Sequence, residues 1–287
     1  MEKRFETSFY LKEGYNMRNF YINDKGQAQA LSTIKLIPKD FENNNHIGVY
    51  WLGGGGAMIN SFGTIIMIDP LLEGFDMPLL IDMVAEPRDV TKVDGYFVSH
   101  VDNDHYSRPT LKNLAPVTRE VHTSHYVASL MKDECGVDAC GHTWWDEVDI
   151  DDVNVKFTPA DHNWQNDLEE FNYRVWAKEE YSGFYVTTHG KKIWYVGDSR
   201  LMEEQLQMEE PDIILFDFSD NEYHIGLENA YKLANTYPNS KLILIHWGTV
   251  DAPEMTPFNG NPDDLINNVV NPERVVVLRP GEEYILE

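Results

Sequence analysis

The sequence holds only two cysteines, Cys135 and Cys140, among 287 residues. Two thiols in a chain this long make no disulfide framework, and the expectation is a reduced, cytoplasmic protein. Basic residues are also scarce. There are 23 Lys and Arg against 48 Asp and Glu, for a net charge of −25. No Lys/Arg cluster stands out, so nucleic-acid phosphates and anionic lipid surfaces are expected to repel the chain. Long apolar runs are missing as well. Stretches such as 64–68 and 242–245 are strand-length, far below the ~20 residues of a membrane span. The opening MEKRFETSFYLKEGYNM has no apolar core and no small-residue cleavage site, which argues against a signal peptide.

What is present suffices for a packed core. Hydrophobic residues make up 42% and aromatics 12%, too much for a disordered chain despite the charge. Residues 1–46 are polar and weakly periodic; they are expected to form an N-terminal extension packed on the core, or a helix lying on it. Residues 47–287 are read as one domain. IGVYWL, AMINSF and GTIIMIDP read as strands separated by glycine turns. Gly53 to Gly56 lack the following Lys-Ser/Thr of a phosphate loop, so a tight turn is expected there. VDGYFVS, PDIILFDFS and KLILIHW read as buried strands, with a helix over 226–236. Residues 148–158 alternate acidic and apolar side chains, as one exposed-edge strand would, and 163–181 reads as a long loop. This order suggests helices covering two packed sheets.

The chemistry concentrates at strand ends. His100, Asp102, Asp104 and His105 fall within six residues just after the strand ending at Ser99. Imidazoles and carboxylates are the side chains that hold divalent metals. His162, Asp198 and His246 each follow an apolar strand of their own, where layered α/β folds build their sites. Cys135 and Cys140 lack the spacing of a zinc hook and read as ordinary thiols.

These motifs resemble the metallo-β-lactamase-fold hydrolases, in the branch of L-ascorbate-6-phosphate lactonase and N-acyl-phosphatidylethanolamine phospholipase D. That family's S/T-H-x-H-x-D-H motif is matched by His100, Asp102, Asp104 and His105, and the match runs from about residue 47 to 285. The resemblance implies an α/β fold, a four-layer αβ/βα sandwich with metals at one edge of the sheets. It implies two divalent ions, zinc or manganese with iron as a further option, and a bridging hydroxide as nucleophile. His100, Asp102 and His162 would hold the first ion, Asp104, His105 and His246 the second, and Asp198 both. Asp104 and His224 are the catalytic candidates. His224 is read as a proton donor or substrate contact, with a helix-capping role as its alternative. Asp69, in Ile68-Asp69-Pro70, matches an aspartate buried beside the site.

Asp102 departs from the family pattern, which has His there. A carboxylate reaches less far, so Asp102 would bind directly only if the loop moves inward, or would act through water. A charged ligand turns a net positive centre neutral and so weakens it as a Lewis acid. It also favours manganese or iron over zinc. A plain zinc site with a variant residue stays open. Trp164, after His162, would form an aromatic wall; Gln165 and Asn166 stand where relatives often carry a phosphate-binding Arg.

The leading expectation is hydrolysis of a lactone or ester, then a phosphodiester, in a small-molecule substrate. Nucleic acid and membrane are not expected partners, and self-association into a homo-oligomer is left open. A flavodiiron-like oxygen- or nitric-oxide-reducing protein and a non-catalytic member with a degenerate site are the alternatives.

Overall fold

The computed structural model describes residues 19–287. Strands β1 (Phe20–Ile22) and β2 (Ala28–Ala30) pair as a small antiparallel hairpin. The next six strands are β3 (Ile47–Gly53), β4 (Gly56–Ser61), β5 (Thr64–Ile68), β6 (Val93–Phe97), β7 (Thr118–Ser124) and β8 (Cys140–His142). They are followed by β9 (Glu147–Ile150), β10 (Val153–Pro159), β11 (Ser182–Thr188), β12 (Lys191–Tyr195), β13 (Ile213–Phe216), β14 (Lys241–Leu244), β15 (Val275–Val276) and β16 (Glu283–Leu286). One sheet has the order β16-β3-β4-β5-β6-β7-β8 and the other β15-β14-β13-β12-β11-β10-β9.

Alternation along the strands explains the layering. On β5, Ile66 and Ile68 face the other sheet, packing with Phe157, Phe184 and Ile193. Ile65 and Met67 face outward with Leu111, Leu114 and Val127. Those last three belong to α1 (Arg108–Leu114) and α2 (His125–Leu130), which cover the first sheet. A strand apolar on both faces must be covered on both. The second sheet is covered by α3 (Leu227–Thr236) and α4 (Pro262–Ile266), through Ala230, Leu233 and Leu265. The result is the four-layer αβ/βα sandwich. Among the described residues, no helix is long and apolar enough to cross a membrane.

Two expectations change. Residues 148–158 form not one edge strand but a hairpin of β9 and β10, turning at Asp151, whose φ is +54°. Only β9 lies at the edge; β10 is paired on both sides and buries Val153, Val155 and Phe157. The described part of the N-terminal segment, 19–46, carries strands and a 3-10 turn at Pro38–Phe41, not an α-helix. It packs on the core through Phe20, Ala28 and Ala30. Residues 1–18 of the expected extension lie outside the described residues.

Candidate metal centre

The site lies where several strands end. Asp69 follows β5, His162 follows β10, Asp198 follows β12, Asp217 follows β13 and His246 follows β14. The loop after β6 carries His100, Asp102, Asp104 and His105. β12, β13 and β14 run parallel, and so do β5, β6 and β7, so their carboxyl ends share one edge. The Gly53–Gly56 segment is the expected tight turn between β3 and β4. Gly55 sits there because a Cβ would lie 2.5 Å from the His105 ring. Gly54 O accepts the backbone N–H of His246 at 2.8 Å. Asp69 and His246 both adopt positive φ, +47° and +60°, a strained backbone that concentrates at functional sites.

All four histidines of the expected ligand set are turned the same way. His105 Nδ1 donates to Asp69 Oδ2 at 2.8 Å, His162 Nδ1 to Tyr223 O at 2.7 Å, and His246 Nδ1 to Pro257 O at 3.2 Å. Ser99 Oγ donates to Asp69 and accepts from His100 Nδ1 at 2.9 Å. Each Nδ1 is thereby engaged, and each Nε2 faces the carboxylates. This is how partners orient metal-binding imidazoles. Tyr195 OH completes the shell of Asp69 at 2.7 Å.

The inward atoms of the expected ligands form two groups, and a third joins Asp217 and His224 to Asp198 and His246. Asp102 Oδ2 is 3.4 Å from both His100 Nε2 and His162 Nε2. Asp198 joins those two histidines, each ligand atom lying within 4.8 Å of the others. In the second group, His246 Nε2 is 3.3 Å from Asp104 Oδ2 and 3.4 Å from His105 Nε2. Asp198 Oδ2 is 3.0 Å from His105 Nε2 and 3.4 Å from His246 Nε2. Ligands about 2.0–2.2 Å from a tetrahedral ion stand roughly 3.3–3.6 Å apart, the range in which the Asp102 pairs of the first group and the His246 pairs of the second fall. His100 Nε2 is buried without a hydrogen-bond partner, a position a cation would satisfy.

The electrostatics agree. Burial works against charge on His105 and His246, but carboxylates overcome it. Asp198, Asp104 and Asp69 hold His105 well above the usual imidazole range. Asp198, Asp104 and Asp217 raise His246 to about 9. His100, where burial prevails, is lowered. Burial also opposes ionisation of Asp102 and Asp198, yet neighbouring histidines hold both below the ordinary carboxylate range. A field that retains protons on buried imidazoles favours a divalent cation in their place.

Asp102 is not a solvated loop residue. Its Oδ2 accepts from Trp164 Nε1 at 2.7 Å and its Oδ1 from Gln165 Nε2 at 2.8 Å. Gln165 Oε1 in turn accepts from Tyr181 OH at 2.6 Å. His224 is buried, with Nδ1 2.6 Å from Asp217 Oδ2. It does not cap α3, whose N-cap is Gly226. Asp217 Oδ1 accepts from the Ser219 backbone at 3.0 Å and its hydroxyl at 2.6 Å. Asp217 went unnoticed in the sequence, although it follows an apolar strand just as Asp198 does. Cys135 and Cys140 are free thiols outside the cluster.

Residues 64–247 match the family model described as the beta-lactamase superfamily domain. The chain belongs to that superfamily. A metal-dependent hydrolase of Pyrococcus abyssi is 25% identical over 228 residues, covering 77% of this chain and 92% of the relative. N-acyl-phosphatidylethanolamine-hydrolyzing phospholipase D 1 of Caenorhabditis elegans is 19% identical, over 80% of this chain and 72% of its own. Among solved structures, the metallo hydrolase Igni18 of Ignicoccus hospitalis superposes with a TM-score of 0.66 at 18% identity. It covers 84% of this chain and 98% of its own. The matched family and the buried His/Asp cluster place the chain among the superfamily's metal-dependent hydrolases.

Proposed function

We propose that the chain uses two divalent ions to hydrolyse an ester or lactone of a small molecule, with a phosphodiester as the second choice. The observation that carries this is the common orientation of four buried imidazoles, with every Nε2 turned toward Asp102, Asp104 or Asp198. His100, Asp102 and His162 would hold one ion and Asp104, His105 and His246 the other, with Asp198 shared. When bound, such ions polarise a substrate carbonyl oxygen and make water a nucleophile at neutral pH. Manganese and iron gain from the extra carboxylate of Asp102, and zinc from the four imidazoles.

The chain's own groups handle the rest. Asp69 fixes the His105 ring and Ser99 fixes His100. His224, braced by Asp217, would give its Nε2 proton to the leaving oxygen as the acyl–oxygen bond breaks and water oxygen joins the acyl carbon, and the proton that water sheds in forming the carboxylate would return to the imidazole. Asp104 serves as a ligand beside that bond. Action in the cytoplasm fits the acidic surface and reduced thiols. The test is elemental analysis of protein purified without chelator, followed by an ester, lactone and phosphodiester panel. Two ions with ester or lactone turnover support the reading. Iron with redox activity, or a metal-free inert protein, overturns it.

A further inference from the structure

The metal edge opens onto a cavity of about 760 Å³ with 24 lining residues. Thirteen of these are aromatic or aliphatic, and eight of the thirteen are aromatic. The wall continues to solvent through Tyr173 and Met255, which line the cavity while 69% and 43% exposed.

Away from the candidate metal ligands, positive charge is absent from that wall in usable form. Arg108 is the one Lys or Arg among the lining residues. Glu134 holds its guanidinium at both ends, at 2.6 and 3.3 Å. The cations behind the wall are likewise occupied. Arg174 pairs with Glu180 and lies on Tyr126 at 3.7 Å. Arg200 bonds Asn163 and Asp161 at 3.0 and 3.4 Å, and Lys178 reaches Asp161 at 2.5 Å. Gln165 and Asn166 commit amide N–H groups to Asp102 and to the Trp176 carbonyl. An anionic substituent on the body of a substrate would lose water here and meet no free cation. An apolar body would gain by burial against aromatic faces.

We infer that the cavity takes a substrate whose aromatic or acyl body, away from the reacting bond, is uncharged and largely apolar, and rejects bodies that carry a phosphate or carboxylate. The inference rests on the hydrolase reading only for where the reactive bond sits. Two fluorescent probes with one skeleton test it on metal-loaded protein: neutral N-phenyl-1-naphthylamine and its sulfonated counterpart, 1-anilinonaphthalene-8-sulfonate. The neutral probe should bind at least about fivefold tighter, and Tyr173→Ser with Met255→Ser should weaken it. Glu134→Gln releases Arg108 and should narrow the gap by strengthening the sulfonate. A smaller gap in the natural chain, no saturable binding of the neutral probe, or no response to the variants overturns the inference. An ester panel run in parallel separates the two readings. No hydrolysis with the probe preference intact counts against the hydrolase and leaves the ligand class standing.

Discussion

Trp164 donates its indole N–H to Asp102 Oδ2 at 2.7 Å, the same oxygen that His162 Nε2 faces at 3.4 Å. The chain that supplies His162 thus also supplies, two residues on, the group that fixes Asp102. Asp102 is a short carboxylate where the resemblance implies a longer imidazole, and Trp164 and Gln165 hold it in place. Trp164→Phe keeps the ring and removes the hydrogen bond. It should lower affinity for one ion by about 10–100-fold, the usual effect of losing a group that orients a ligand, and leave the other ion in place. Chelator competition followed by metal analysis measures this. Unchanged affinity for both ions would remove Trp164 from the ligand frame.

The ligand candidates were legible because each signal is local: an apolar strand followed at once by His or Asp. His162, Asp198 and His246 all carry that mark. The brace on Asp102 was not legible, because it depends on how the aperiodic 163–181 segment folds back over the site. That segment forms three short 3-10 turns, at Trp164–Asp167, Glu169–Phe171 and Lys178–Glu180. Asp217 carried the local mark, but it matters only because His224, seven residues later, returns to it. At Asp151 and Asp152 the acidic alternation of a strand concealed a turn, since Asp tolerates the left-handed backbone needed there.

Asp102→His would supply the imidazole that the resemblance implies and remove one negative charge. Zinc should then gain over manganese, since imidazole suits zinc and carboxylate suits manganese. Asp102→Ala should weaken the ion held by His100 and His162 and spare the one held by Asp104, His105 and His246. Zinc and manganese titrations of the two variants read this out. If Asp102→Ala leaves both affinities intact, Asp102 is not a ligand.

Among the described residues, Asp198 is the carboxylate close to both groups, 3.0 Å from His105 Nε2 and clustered with His100 and His162. Asp198→Ala should therefore take the content from about two ions per chain to well below one. Two-site behaviour should vanish as a unit in calorimetry. Retention of one full-strength ion would show that the sites share no ligand.

Outside the site, His122 on β7 stacks on Phe97 at 5.0 Å and meets His142 at 3.1 Å. Burial, then the nearby His142, lowers its pKa to about 4. The unfolded chain binds a proton near pH 6.5 and the folded one near pH 4, so the unfolded state takes up more protons in between. Stability from this group is full above pH 6.5 and is lost as pH falls toward 4, by about 3 kcal/mol. His122→Phe should flatten that fall. Urea midpoints at pH 7 and pH 4.5 for both chains check the sign; equal pH slopes would exclude His122 as the source.

The His224–Asp217 pair carries the last prediction. Asp217 Oδ2 lies 2.6 Å from His224 Nδ1, and its other oxygen is tied to Ser219. That arrangement fixes the ring orientation, as a proton donor to a leaving group needs. Yet the same two residues cluster with Asp198 and His246 closely enough to hold an ion, so the two roles must be separated by measurement. If His224 donates a proton, His224→Ala should retain both ions and lose about 10²–10⁴ in kcat. The loss should be largest for an alkyl ester, whose leaving alkoxide needs protonation. It should be small for a nitrophenyl ester, which leaves readily as the anion. Asp217→Asn should show the same dependence on leaving group, more weakly, because the ring keeps an acceptor but loses a charge-assisted hydrogen bond that orients it. A purely structural role would lower both esters alike. A loss of metal in either variant would instead make the pair ligands, and the proton-donor assignment would fall.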